Sequence, residues 1–221
     1  MPPTNDGMPG EGSVRRADWF LPIWAERRSR FAGRVAQDQG ALVFLGDSIT
    51  SGFGDDCGGY FPGAKLANRG ISGDTTRGVL YRLAEDVISL NPRGVVMLVG
   101  TNDLEENATP ATAAGNVRLI IDALTAHNPR MPVVLCEVFP STAEKNRPPS
   151  NVKALNALYA GLAVSRPQVT VVGTWSAFAN EEGNARVEEF PDLLHPNAAG
   201  YAKWAATLRP VLSGLRLIGD V

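Results

Sequence analysis

A short apolar run that stops at a glycine decides the predicted fold: Ala41-Leu42-Val43-Phe44-Leu45-Gly46-Asp47-Ser48. Consecutive apolar residues without polar alternation are typical of a strand that is buried on both faces. The run ends at Gly46, and Ser48 follows just before a predicted helix. We therefore predict that Ser48 lies at the carboxyl end of a buried strand, where the dipole of the next helix favours negative charge.

Further apolar runs predict four more strands, which alternate with amphipathic helices. The strands span 65–69, 94–99, 132–139 and 169–172, and the helices begin near Trp19 and after the caps Asp74 or Thr75, Thr109, Ser150 and Asn197. This alternation predicts an α/β fold in which helices cover both faces of a parallel sheet. Ligands bind at the carboxyl ends of the strands in such sheets.

Polar motifs stand at the predicted ends of the first three strands, and a fourth precedes the last helix. They are Gly46-Asp47-Ser48, Asn68-Arg69-Gly70-Ile71-Ser72-Gly73-Asp74, Gly100-Thr101-Asn102-Asp103 and Asp192-Leu193-Leu194-His195. Taken singly, each has an ordinary structural alternative, such as a helix N-cap or a turn. Together they supply a hydroxyl, hydrogen-bond donors and a carboxylate beside an imidazole, which are the groups that acyl transfer needs.

His195 is the only reasonable general base, because the chain has just two histidines. The other, His127, ends a predicted helix, where it complements the helix dipole or is solvated. Asp192 precedes His195 by three residues, so its carboxylate can fold back and fix the imidazole tautomer, as the third member of a catalytic triad does. The alternative for this pair is a capping loop with an exposed aspartate.

Gly73 and Asn102 are candidate members of an oxyanion hole. A glycine lets its backbone N–H approach a ligand with no side chain in the way. An asparagine supplies an uncharged N–H donor at neutral pH. Each residue type is also common in turns, so the prediction depends on their occurring together.

The four motifs resemble the consensus blocks of the SGNH hydrolases, which are the GDSL-type esterases and lipases. Their order and spacing match that family over residues 41–208. The block at 68–76 is most similar to the branch that includes the platelet-activating-factor acetylhydrolase catalytic subunits and related bacterial acetylesterases.

This resemblance implies a three-layer α/β/α, flavodoxin-like fold with a five-stranded parallel sheet. It also implies a Ser-His-Asp triad in which Ser48 is the nucleophile, His195 the base and Asp192 its orienting carboxylate. The implied oxyanion hole consists of the Ser48 and Gly73 backbone N–H groups and the Asn102 side chain. The implied reaction requires no metal and no organic cofactor.

The substrate is expected to be a small-molecule ester with a short acyl chain, acetyl to about butyryl, because no insertion is long enough for a lid. An acetylated sugar or a small aryl ester is the leading prediction for the alcohol. The candidate substrate contacts, each of which could equally be ordinary packing, are Asp47, Tyr60, Phe61, Phe139, Trp175 and Phe178. The loops expected to shape the pocket are 53–64, 104–109, 140–149 and 175–191.

Composition limits the classes of partner. The formal net charge is −2 with no large basic cluster, which argues against nucleic acid. No apolar run reaches the length of a membrane span. The sequence is compatible with a homo-oligomer.

The two cysteines have different expected surroundings. Cys136 is expected to be a buried strand residue, whereas Cys57 is either free or bridged.

A single hydrolase domain is predicted over 17–221, preceded by a flexible N-terminal tail over 1–16 that is rich in proline, glycine and charge. The tail lacks the apolar segment of a signal peptide, which favours a cytoplasmic protein and leaves secretion open.

Three alternative functions stay open at this point. A thioesterase or lysophospholipase of the same family would show a hydrophobic acyl groove. A non-catalytic module that binds a carbohydrate or a protein would not need the complete set of catalytic groups. A flavin or nucleotide binder is suggested only by the fold, because the glycines near Gly52 do not complete a dinucleotide-binding motif.

Overall fold

The computed structural model describes residues 1–219, so the last two residues of the predicted domain, 17–221, lie outside the described part of the chain. The strands are β1 Leu42–Gly46, β2 Leu66–Gly70, β3 Gly94–Leu98, β4 Val133–Cys136 and β5 Val169–Val172. The α-helices are α1 Phe20–Gly33, α2 Ser48–Gly52, α3 Thr76–Asp86, α4 Thr101–Glu105, α5 Pro110–His127, α6 Pro149–Ala163, α7 Thr174–Phe178 and α8 Ala198–Gly214.

The five strands form one parallel sheet in the order β2-β1-β3-β4-β5. This is the flavodoxin-like order, in which the topology reverses beside β1 and leaves a crevice at the carboxyl ends of the strands. The predicted α/β fold with a five-stranded parallel sheet is confirmed. Each of the five predicted strands is present, although the fourth is shorter than predicted and ends at Cys136.

Helices cover both faces of the sheet, as the unbroken apolar strands predict. Side chains alternate across a strand, so Val43 and Leu45 of β1 face the layer formed by α3, α5 and α6. Leu42 and Phe44 face the opposite layer, in which α7 and α8 pack. All five residues of β1 are buried, and both cysteines are buried and free, so Cys57 forms no bridge.

Three of the predicted helix caps are confirmed. The side chains of Thr75, Thr109 and Asn197 each accept a hydrogen bond from the backbone N–H of the third helical residue. Ser150 is not a cap: helix α6 begins earlier, after Pro148, with a proline at its first position. The fixed φ of proline suits that position, where no backbone N–H is needed.

Residues 8–16, which belong to the N-terminal tail predicted over 1–16, form hydrogen bonds with the domain. Arg77 donates hydrogen bonds to the carbonyls of Met8, Pro9 and Gly12. The Asn116 side chain exchanges two hydrogen bonds with the backbone of Glu11. Composition misses this packing, since it depends on long-range partners in α3 and α5. The segment leads into α1 and brings Arg15 and Trp19 to the carboxyl edge of the sheet.

Candidate active site

Ser48 is the first residue of α2 and follows β1 after a single intervening residue, Asp47. The Asp47 side chain caps the helix by accepting a hydrogen bond from the Ile49 N–H at 3.0 Å. Helix α2 also lies close to the end of β2, since a Cβ on Gly70 would stand 2.3 Å from the Ser51 nitrogen. Only glycine permits this approach of the two backbones. The serine is therefore fixed at the carboxyl edge of the sheet, as predicted.

A chain of hydrogen bonds connects Asp192, His195 and Ser48. Asp192 Oδ2 lies 2.7 Å from His195 Nδ1, and His195 Nε2 lies 2.9 Å from Ser48 Oγ. These distances are within the range in which a general base contacts a nucleophile and is itself oriented by a third group. The imidazole can accept the Ser48 hydroxyl proton while Asp192 holds its other nitrogen.

The turn at 192–195 is built around the Asp192 carboxylate. Leu193 has φ +63°, which turns the chain so that Asp192 Oδ1 accepts the N–H groups of Leu194 and His195 at 3.1 and 2.7 Å. Partial burial raises the pKa of Asp192, but these N–H groups and the imidazole outweigh it and lower the pKa to about 2. Asp192 is therefore a carboxylate at any pH at which a histidine base would operate.

Gly73 and Asn102 face the same cleft as Ser48. Gly73 has φ +87°, and a Cβ there would stand 2.5 Å from the Trp19 ring, so a glycine fits both its backbone and its surroundings. The Asn102 Nδ2 donates one hydrogen bond to the Asp74 carbonyl at 2.8 Å, and its Oδ1 accepts one from Arg147 at 3.1 Å. The amide group carries two N–H bonds, so one is left to serve a ligand.

The cleft at Ser48 has a volume of about 350 Å³. Most of the residues that line it have polar or charged side chains, and Trp19 and Leu194 are the large apolar ones. The residues that line it are Arg15, Trp19, Ser48, Ser72, Gly73, Asn102, Glu105, Arg147, Leu194 and His195. A larger cavity of about 480 Å³ lies between Gly10, Glu11 and α5, and it contains neither Ser48 nor His195.

The predicted substrate contacts lie outside this lining. Phe139 is buried, with its ring centroid 4.7 Å from that of Phe178 and 5.4 Å from that of Trp204. Tyr60 packs on Phe53 beneath α8. Phe61 and Phe178 belong to the same buried cluster, Trp175 packs on the other face of the sheet beside Lys153, and Asp47 is buried. Phe61, Phe139 and Phe178 are therefore core residues rather than substrate contacts, because the layer around α8 needs large apolar groups. Tyr60 and Trp175 are partly buried, on opposite faces of the sheet, and neither reaches the cleft lining.

Sequence reasoning missed four residues of the cleft: Arg15, Trp19, Glu105 and Arg147. Arg15 forms ion pairs with Glu105 at 2.5 Å and with Glu106 at 2.9 Å, and its guanidinium lies 5.3 Å from the Trp19 ring centroid. Arg147 pairs with the same Glu105 at 3.0 Å. The signal that could have located Glu105 and Arg147 was their place in two of the loops expected to shape the pocket. Nothing in the local pattern pointed to Arg15 and Trp19.

Buried carboxyl groups lie directly behind the cleft. Burial raises the pKa of both Asp47 and Asp103 to about 7, against the hydrogen bonds that each accepts. Burial also raises the pKa of Asp74, although Arg82 opposes it with an ion pair at 2.7 Å. Asp47 Oδ2 has no hydrogen-bond partner, which is consistent with a neutral carboxyl rather than a carboxylate.

Within residues 1–219, no group of three or more His, Cys, Asp or Glu side chains is arranged to hold a metal ion. The helices described over that range include none with the length and apolar character needed to cross a membrane.

Residues 44–203 match the model of the GDSL-like lipase/acylhydrolase family. The chain belongs to this family. Its fold and family identify it as a carboxylic ester hydrolase, as the sequence predicted.

The chain is similar to individual relatives and solved structures over most of their length. The chain is 27% identical to the platelet-activating factor acetylhydrolase IB subunit alpha2 of Homo sapiens over 198 residues, covering 87% of this chain and 84% of that one. A GDSL-like lipase from Bacteroides thetaiotaomicron superimposes with a TM-score of 0.74 at 25% identity, covering 85% of this chain and 97% of the lipase.

A variant of an acetyl-xylooligosaccharide esterase from Geobacillus Stearmophilus shares the fold, with a TM-score of 0.63 at 21% identity. It covers 83% of this chain and 97% of that one.

Replacing Asp47 by asparagine is predicted to reduce the pH dependence of stability. The carboxyl has a pKa near 3.8 in the unfolded chain and about 7 when folded, so the folded state binds the proton more tightly. Wild-type stability therefore falls as pH rises from about 4 to about 7. An asparagine side chain does not titrate, so Asp47→Asn should gain on the order of 3 kcal/mol over wild type between pH 5 and pH 8.

Urea unfolding at the two pH values measures this gain. Glu181→Gln, which neutralises an exposed carboxylate, serves as the control and should track the wild type. A difference between Asp47→Asn and wild type that is the same at both pH values would show that Asp47 is not protonated on folding.

Proposed function

We propose that the protein is a serine esterase that hydrolyses short-chain acyl esters, acetyl esters above all, through an acyl-enzyme on Ser48. The observation that carries this proposal is the hydrogen-bonded chain from Asp192 through His195 to Ser48, with 2.7 and 2.9 Å separations. A histidine in contact with both a hydroxyl and a carboxylate has the arrangement that activates a serine.

In the proposed reaction, His195 Nε2 takes the Ser48 proton while Ser48 Oγ attacks the ester carbonyl carbon. The carbonyl oxygen becomes an oxyanion, which accepts hydrogen bonds from the Ser48 and Gly73 backbone N–H groups and the free N–H of Asn102. His195 then gives its proton to the leaving alcohol. A water molecule, deprotonated by His195, attacks the acyl-enzyme, and the proton returns to Ser48 as the acid leaves.

Asp192 supports both steps as a permanent anion. Its low pKa keeps it charged while the imidazole becomes an imidazolium. The carboxylate holds the Nδ1 proton in place, so Nε2 is the nitrogen that faces Ser48.

The lining of the cleft supports a short acyl group. Long acyl chains require continuous apolar surface, since about 0.8 kcal/mol is gained for each buried methylene. Trp19 and Leu194 are the only large apolar side chains among the described residues of this lining. The acetylhydrolase name of the human relative agrees with this inference for the acyl side.

The alcohol side is proposed to be an acetylated sugar. Trp19 is 51% exposed and offers a flat apolar face at the cleft, next to the charged groups of Arg15 and Glu105. A sugar ring presents C–H bonds on its faces and hydroxyl groups at its edge, so it matches an aromatic face bordered by donors and acceptors.

Replacing Ser48 by alanine is predicted to lower kcat for p-nitrophenyl acetate by a factor on the order of 10⁴–10⁶, because the nucleophile is removed. Steady-state kinetics measure the loss, and a thermal unfolding curve close to that of wild type confirms the fold. Ser51→Ala is the matched control, since it removes a hydroxyl from the same helix α2. Near wild-type hydrolysis by a folded Ser48→Ala variant would refute the mechanism.

A series of p-nitrophenyl esters tests the acyl side. We expect kcat/KM to be highest from acetate to butyrate and to fall by roughly 10²-fold or more at decanoate, because Trp19 and Leu194 are the large apolar side chains that the described cleft offers to the additional methylenes. All esters are used below their critical micelle concentrations. A preference for decanoate would instead indicate the lysophospholipase or thioesterase alternative.

Trp19→Ala tests the alcohol side. We expect roughly a tenfold lower kcat/KM for a peracetylated monosaccharide, which corresponds to the loss of one aromatic contact of about 1.4 kcal/mol. Ethyl acetate, whose alcohol is too small to cover the ring, should change less than about twofold on the same reasoning. Tyr81→Ala is the control, because Tyr81 is also an exposed aromatic residue but packs near Trp24. Equal losses for both esters would contradict the sugar proposal.

A further inference from the structure

Arg147 connects the loop before α6 to the candidate oxyanion donor. Its side chain is 2% exposed, and its Nε donates to the carbonyl and the hydroxyl of Thr101 at 3.1 and 3.0 Å. Its Nη1 donates to the Lys145 carbonyl at 2.6 Å. Its Nη2 lies 3.1 Å from Asn102 Oδ1 and 3.0 Å from Glu105 Oε2. Most donors of the guanidinium are thus used to hold α4 and its asparagine.

The two contacts of the Asn102 amide cannot be exchanged. A guanidinium only donates hydrogen bonds, so the partner of Arg147 must be the amide oxygen of Asn102. The Asp74 carbonyl only accepts, so it requires the amide nitrogen. A rotation of the amide by 180° would oppose a donor to a donor and an acceptor to an acceptor. Both neighbours therefore select the orientation that leaves an N–H for the cleft.

The positive charge of Arg147 also favours this orientation of the Asn102 amide. A hydrogen bond from a cationic donor is stronger than a neutral one, and it draws electron density toward Asn102 Oδ1. The N–H bonds of the same amide become better donors, since hydrogen bonds in a chain polarise one another. The opposite arrangement, with Oδ1 toward the cleft, would place a partial negative charge beside a developing oxyanion.

We propose that Arg147 is a positioning residue for the reaction: it fixes and polarises the Asn102 carboxamide so that one N–H is permanently directed at the oxyanion. This proposal rests on the proposed function, in which Asn102 is an oxyanion donor. Arg147 acts through Asn102, and the Asp74 carbonyl still selects the amide nitrogen without it, so we expect its removal to cost no more than the removal of the amide itself. A single oxyanion donor contributes roughly 10²–10³-fold to kcat, which sets the upper limit.

Two other roles are compatible with the position of Arg147, and they make different predictions. A guanidinium that binds the substrate directly would change KM when it is removed, and its effect would not depend on Asn102. A guanidinium that only stabilises α4 would lower the melting temperature without selective loss of transition-state binding. Kinetics in two backgrounds separate these roles from positioning.

The experiment compares Arg147→Met and Arg147→Lys in the wild-type background and in Asn102→Ala, with p-nitrophenyl acetate as substrate. We expect Arg147→Met to lower kcat by roughly 10–10²-fold, with KM changed by less than about twofold. In Asn102→Ala, the same substitution should lower kcat by less than about twofold, because its target is gone. The kcat of Arg147→Lys should lie between those of the wild type and Arg147→Met, since a lysine keeps the charge but cannot contact Thr101 and Asn102 together.

Binding of a trifluoromethyl ketone gives an independent readout. This inhibitor forms a tetrahedral oxyanion with an active-site serine, so its inhibition constant should rise by the same factor by which kcat falls. Arg166→Met is the control for loss of an ion-paired arginine, because Arg166 pairs with Asp122 and neither residue lines the cleft. It should leave kcat and inhibition unchanged.

The proposal would be overturned if Arg147→Met lowered kcat by the same factor in the Asn102→Ala background as in the wild type. It would also be overturned if Arg147→Met changed KM alone. A fall in melting temperature with an unchanged inhibition constant would overturn it as well. If Arg147→Met does not fold, Arg147→Lys in the two backgrounds is judged by the same criteria.

Two further variants separate this proposal from the proposed function. If Asn102→Ala keeps a wild-type kcat while Ser48→Ala is inactive, Asn102 is not an oxyanion donor and Arg147 has no positioning role. An active Ser48→Ala would instead refute the proposed function itself.

Discussion

The register between β1 and its two neighbours is the constraint on which the site depends. Gly46 pairs with Gly70 of β2 and with Leu98 of β3, so all three strands reach the same edge of the sheet. The buried Arg82 holds this edge: it donates to the Gly46 carbonyl at 3.1 Å and pairs with Asp74 at 2.7 Å. A one-residue slip would turn each strand over and would separate the three polar motifs that follow the strands.

The groups around the cleft are held mainly by buried charge and backbone contacts rather than by apolar packing. Asp103 accepts the backbone N–H and the hydroxyl of Thr76, which ties the asparagine motif to the start of α3. Glu105 lies between Arg15 and Arg147 and connects the N-terminal segment to the loop before α6. Glu105 is 39% exposed, but both of its arginine partners are buried, so loss of the carboxylate would leave two buried guanidinium groups with less compensating charge.

The sequence was sufficient to predict the strands and most helix caps, because apolar runs and caps such as Thr75 and Asn197 are local signals. It also pointed to the residues of the proposed catalytic centre, because only one histidine was suited to act as a base, and their catalytic roles stay a prediction. Arg15 and Trp19 could not be predicted, since they reach the cleft beside residues far along the chain, as in the Arg15–Glu105 pair, which joins residues 90 positions apart. Phe139 was misassigned because a sequence pattern does not distinguish an aromatic residue of the core from one at the rim of a cleft.

We propose that Ser48 becomes the nucleophile because His195 contacts it. The most direct measurement is peptide mapping by mass spectrometry after treatment with a fluorophosphonate probe, in the wild type and in His195→Ala. We expect one stoichiometric adduct on Ser48 in the wild type and a strongly slowed reaction in the variant. An adduct on another residue, or equally fast labelling of Ser48 without His195, would contradict it.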